Sequence, residues 1–92
     1  MTYYKLICYN EWLNAGWPPI SFMELDNERY QVKLLEIHNN RIAYAYSDVK
    51  FNGCFLAEDK YESSEFFSKE KDLELIEITK SEFYCVWGKY VL

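Results

Sequence analysis

FMELDNERYQVKLLEIHNNRIAYAY, residues 22–46, decides how the fold is read. Arg29–His38 is rich in aliphatic residues without helical spacing, Asn39-Asn40 interrupts it, and Arg41–Tyr46 resumes with Ile42, Tyr44 and Tyr46 alternating with Ala43 and Ala45. This pattern predicts two antiparallel strands around a two-residue turn, because asparagine tolerates the positive φ that such turns use. The longer strand changes phase: Tyr30 and Val32 lie on one parity, Leu35 and Ile37 on the other. A β-bulge near Lys33-Leu34 would return all four to one side; the alternative is a strand covered on both faces. Ala43 and Ala45 leave a small-residue face on which a helix can pack closely.

Ahead of this hairpin stands a knot of opposite charges, Glu24, Asp26, Glu28 and Arg29. Asp26 and Asn27 suit a turn after a short extended piece, Phe22–Leu25, since their side chains can bond nearby backbone amides. Glu28 and Arg29 read as an exposed strand entrance. Arg29 is within sequence reach of Glu24 or Asp26, and an exposed pair of that kind contributes only ~0–1 kcal/mol.

Outward from this centre, Tyr3–Tyr9 is aromatic and β-branched and reads as a first strand, with Tyr4, Leu6 and Cys8 on one side and Tyr3, Lys5, Ile7 and Tyr9 on the other. Gly16, Pro18 and Pro19 mark residues 10–21 as a loop carrying Trp12 and Trp17. After a polar link around Ser47–Gly53, CFLA at 54–57 reads as a strand, Ser63 as the cap of a short helix to about Lys69 anchored by Phe66 and Phe67, and Leu73–Ile78 as another strand. Thr79-Lys80-Ser81-Glu82 matches a capping box, and Phe83, Val86, Trp87 and Tyr90 then form the apolar stripe of an amphipathic helix. The expected architecture is one α+β domain over residues 1–92. It has an antiparallel sheet of four or five strands, a C-terminal helix on one face and a short additional helix.

Composition narrows the function classes. The net charge is −5, and residues 58–82 hold nine acids against four lysines, so the remainder is neutral. Such a segment repels phosphate backbones and argues against direct nucleic-acid binding. Its acids, Glu58, Asp59, Glu62, Glu65, Glu70 and Asp72, read either as a solvated face or as a docking surface for a basic partner. No apolar run approaches membrane-spanning length, and the start, MTYYKLICYNEW, lacks the pattern of a signal peptide, so no membrane association and a cytoplasmic site of action are expected.

Catalytic and metal-binding chemistry has few carriers. Cys8, Cys54 and Cys85 form neither a CxxC pair nor an even set, and they read as small buried hydrophobes. His38, the one histidine, sits at the expected hairpin end, and a Cys–His dyad would need tertiary contact that no local signature specifies. Calcium-loop spacing and Gly-rich phosphate loops are absent. No catalytic residue, metal or cofactor is expected.

ELDNERYQVKLLEI at 24–37, then Arg41-Ile42-Ala43-Tyr44-Ala45, then IEITKSEFYCVW at 76–87, resembles a small bacterial single-domain family with an ELDxERWEV-like block, a GYA segment and an IxxxEFxxxW ending. The match is ordered along about residues 22–90. Tyr30 stands where that family carries tryptophan, and Lys33-Leu34 replaces an Arg-Lys pair; Tyr30 is expected to keep an aromatic core contact, and no basic role is carried over to Leu34. The resemblance extends to immunity proteins of contact-dependent growth inhibition and related polymorphic toxin systems. It implies a non-enzymatic domain that binds a basic cognate toxin, a nuclease; the charge distribution then points to the six acids named above as the binding face, with Trp12 and Trp17 in the loop as anchors. The alternative is a regulatory or scaffold interaction domain unrelated to toxins.

Overall fold

Alternating and doubly apolar runs make strands here, and each is covered where its side chains demand it. The computed structural model of the protein describes residues 1–91. Strand β1 (Thr2–Cys8) is followed by helix α1 (Glu11–Asn14), then β2 (Ile20–Leu25), β3 (Gln31–Ile37), β4 (Ile42–Ala45) and β5 (Phe51–Asn52). Helix α2 (Ser64–Lys69), β6 (Leu73–Ile78) and helix α3 (Lys80–Tyr90) complete the chain. The strands form one antiparallel six-stranded sheet in the order β5-β4-β3-β2-β1-β6.

The α+β class, the antiparallel sheet and the C-terminal helix match expectation, and the strand count does not. Residues 54–57 lie outside the sheet; the short pairing falls instead on Phe51–Asn52, where Ala45 opposes Phe51. The reason is steric. Gly53 has φ +86°, and a Cβ there would come within 3.1 Å of Ala43 Cβ, so the glycine lets the chain turn from β5 and pass over the small residues of β4. The closely packed neighbour of Ala43 and Ala45 is therefore irregular chain around Cys54 rather than a helix. A second departure is α1, a single helical turn inside the expected loop.

Both faces of the sheet are covered, the second of the two alternatives for β3. Tyr4, Leu6, Met23 and Leu34 face one core with Cys54 and Phe67, and Tyr3, Phe22 and Leu35 face the other with Phe83 and Trp87 of α3. Directly opposed strand residues share a face, so the register alone assigns these rows: Tyr4–Met23–Leu34–Ala45 on one side, Lys5–Phe22–Leu35–Tyr44 on the other. The irregularity lies one residue earlier than Lys33-Leu34. Glu24 opposes Lys33 and Leu25 opposes Gln31, leaving Val32 as the extra residue. Tyr30 falls outside β3, half-buried beneath the Lys60 ammonium 5.7 Å from its ring, so the expected core contact is replaced by a cation–π contact. At the β3–β4 turn neither Asn39 nor Asn40 adopts positive φ.

Both expected helix caps form. Ser63 Oγ accepts from the Phe66 amide, and Thr79 and Glu82 make a reciprocal capping box, the Glu82 amide donating to Thr79 Oγ1 at 3.1 Å and the Thr79 amide to Glu82 Oε1 at 3.0 Å. Thr79→Ala is expected to lower stability by about 1 kcal/mol, measured as a shift of the urea midpoint with unchanged slope.

Candidate functional site

The charged knot proves to be the junction between the two layers that cover the sheet. Glu24 shares the strand parity of Phe22 and points under α3, where it is 3 % exposed. Its carboxylate accepts hydrogen bonds from Tyr3 Oη at 2.8 Å, Tyr84 Oη at 3.0 Å and Lys33 Nζ at 3.0 Å. Burial pushes the Glu24 pKa up, but the bonds from Lys33, Tyr3 and Tyr84 and the lysine charge outweigh it and hold the carboxyl below its ordinary range. Burial and the Glu24 carboxylate together push the Tyr3 hydroxyl up to about 12.

Arg29 works on the opposite layer. Asp26 Oδ1 accepts from the amides of Glu28 and Tyr30, closing a loop in which Arg29 takes φ +71°. Its guanidinium lies 5.6 Å from the Tyr4 ring centroid, and Nε and Nη2 donate to the carbonyls of Tyr61 and Glu62. The Arg29 carbonyl in turn accepts from the Tyr61 amide at 2.8 Å. In place of a pairing with Glu24 or Asp26, Arg29 clamps two backbone carbonyls, which its planar fork meets in a fixed geometry that a lysine ammonium does not reproduce. Arg29→Lys is expected to cost about 1–2 kcal/mol and to speed amide exchange at Tyr61, read by hydrogen-exchange NMR.

The segment held by this clamp carries the six acids. Leu56, Tyr61 and Phe67 point inward to the core, and the buried Gln31 accepts from the Ala57 amide at 2.8 Å. Glu58, Asp59, Glu62 and Glu65 are exposed, whereas Glu70 and Asp72 are half-buried. Glu65 pairs with Lys69 at 3.3 Å, and Asp72, at φ +68°, accepts from Asn10 Nδ2 at 3.0 Å. The acids therefore lie on one covering layer, strung from the β3 side to the β6 edge. Three strand spacings separate those elements, on the order of 15 Å.

Trp12 and Trp17 differ in placement. Trp12 packs against the core, and its indole N–H donates to the Lys71 carbonyl at 3.1 Å, which brings it to the Asp72 end of the acidic layer. Trp17 meets Trp12 edge-on at 5.2 Å and is 49 % exposed. Sequence reading missed a second aromatic pair: Phe51 and Phe55, centroids 4.6 Å apart, are both exposed, with Phe55 and Glu58 bordering one open depression of about 540 Å³.

Among the described residues, the hydrogen-bond partner of the His38 imidazole is Glu36, with Nε2 and Oε1 3.0 Å apart. Both line a shallow surface depression with Arg41 and Trp17. Cys8 and Cys54 are buried, and burial raises both thiols, Cys54 to about 11, while Cys85 is exposed on α3. Among the described residues no group of three His, Cys, Asp or Glu side chains is placed to hold a metal ion, and no helix is long and apolar enough to cross a membrane.

Residues 12–92, which include Glu24, Arg29 and the whole acidic layer, match the model of a domain of unknown function (DUF6881). The chain belongs to the DUF6881 family. No curated protein and no solved structure shows a significant match. The matched span begins at Trp12, so it takes in β2–β6 and all three helices but for one residue of α1, and leaves out β1.

Proposed function

We propose that the protein is an immunity protein, binding a cognate bacterial toxin domain in the cytosol and neutralising it by occupation. The observation that carries this reading is the acidic layer itself: its apolar side chains face the core, Glu58, Asp59, Glu62 and Glu65 are exposed to solvent, and Arg29 and Gln31 tie its backbone to the sheet. A surface fixed before binding loses less conformational entropy in a complex than a loose loop would. A nuclease presents a basic substrate channel, and an acidic layer of this kind suits its rim. Complementary charge speeds encounter, while exposed aromatics such as Trp17 and Phe55 supply anchoring area.

The test is co-purification with the product of the neighbouring gene, followed by growth protection when both are expressed. Neutralising the six acids to Asn and Gln is expected to weaken binding at least roughly tenfold and to flatten its dependence on salt. Unchanged affinity and unchanged salt dependence would remove the acidic layer from the interface. Failure of the wild-type protein to bind that product, with no growth protection, would remove the immunity reading.

A further inference from the structure

The sheet ends on one long open edge. β6 pairs with β1 alone, whereas the opposite edge, β5, is two residues long. The Tyr9 amide donates to the Asp72 carbonyl at 2.9 Å, which marks that pair as hydrogen-bonded. Such pairs recur at every second residue of an antiparallel ladder. Glu74, Ile76 and Ile78 therefore bond inward, opposite Ile7, Lys5 and Tyr3, and the N–H and C=O groups of Leu73, Leu75 and Glu77 point outward. Among the described residues nothing else bonds these three.

The chemistry around this edge selects its occupant. Glu74 and Glu77 are exposed, and the chain as a whole carries −5, so a second copy pairing edge to edge meets like charge. Between α2 and β6 runs a groove of about 230 Å³ lined by Phe67, Leu73 and Leu75 together with Ser64, Ser68, Glu70 and Glu74. Apolar side chains beside a carboxylate fit a long aliphatic stem with a cationic head. Glu77 shares the strand parity of Leu73 and Leu75, so its exposed carboxylate lies on the same face as the groove and can meet a second cation of the same strand.

We infer that β6 receives an extended strand of the partner, carrying lysine or arginine at alternating positions, as a seventh strand of the sheet. Backbone bonds to Leu73, Leu75 and Glu77 supply register, and one basic side chain enters the groove beside Glu70. This rests on the acidic layer being the partner-facing side, of which β6 is the border.

The experiment uses the full chain, isotope-labelled, titrated to millimolar concentration with a short end-blocked peptide alternating lysine and valine; the same peptide with glutamate for lysine is the control. The expected result is slowed amide exchange at Leu73, Leu75 and Glu77 with the lysine peptide only, and little change at Glu74 and Ile76, whose amides are already bonded. Glu77→Pro removes one outward N–H while sparing the inward ladder, and it is expected to weaken the peptide roughly tenfold relative to Glu77→Gln. If Glu77→Pro does not fold, Glu70→Lys with Glu77→Lys substitutes, with loss of protection expected. No protection at the three amides, or equal protection by the glutamate peptide, overturns the inference. The neighbouring gene product separates the two readings: if it binds while these amides stay unprotected, the edge proposal fails and the immunity role stands.

Discussion

Glu24→Ala is expected to destabilise the protein by about 3 kcal/mol, because it strands three donors at once. Tyr3 Oη and the partly exposed Lys33 lose a buried acceptor, and Tyr84 Oη loses its tie between α3 and β2. Lys33 is 29 % exposed at its side chain and can turn toward water, which keeps the loss at the lower end for a broken buried pair. Glu24→Gln preserves shape and one acceptor oxygen, and should cost less. The pH dependence discriminates the charge from the packing. Because the folded pKa of Glu24 lies below its ordinary value of 4.5, its contribution is fully present above about 4.5 and is lost as pH falls through the folded value. The stability gap between wild type and Glu24→Gln, measured by urea unfolding, should therefore hold constant at neutral pH and close on acidification. A gap that persists at acid pH would mean that packing, not ionisation, sets the cost.

Phe83→Ala should produce a loss of about 3–5 kcal/mol. Phe83 projects from α3 and is fully buried against the sheet, with Tyr3, Tyr84 and Trp87 rings at centroid distances of 5.3, 5.0 and 5.7 Å. A domain of this length holds a net stability of roughly 5–14 kcal/mol, so one such cavity consumes a large share of it. Phe83→Leu, which retains most of the volume, should cost less than half as much. Calorimetric midpoints for the pair measure this directly, and equal, small shifts would show that α3 is held by Glu24 and its donors more than by its apolar stripe.

Periodicity made the outer frame readable. The capping box, the Ser63 cap and strand LELIEI each depend on neighbours within a few residues and stand where the sequence puts them, and of the α3 stripe Phe83, Val86 and Trp87 pack inward while Tyr90 is exposed. Tertiary choices were less visible. FMEL gives no local hint that Glu24 is interior, because its three donors come from β1, β3 and α3. The one available sign is its shared parity with Phe22. Arg29 was misread for a similar reason: its acceptors are carbonyls about thirty residues away, and carbonyls leave no mark in a sequence. Residues 54–57 have strand composition but follow Gly53, whose conformation carries them across the face of β4 instead of along its edge.

For the acidic residues, sequence showed the cluster but not its support. What makes them one layer is the inward trio Leu56, Tyr61 and Phe67 together with the clamps at Arg29 and Gln31. Asp72 is partly committed, through Asn10 and the Tyr9 amide, to holding the turn into β6.

Amide exchange of the complex with the neighbouring gene product tests the central claim most directly. The account predicts new protection concentrated in residues 58–77, with the α3 surface around Cys85 and Lys89 exchanging as in the free protein. Protection confined to α3, or to the His38 corner, with the acidic residues unaffected, would contradict it.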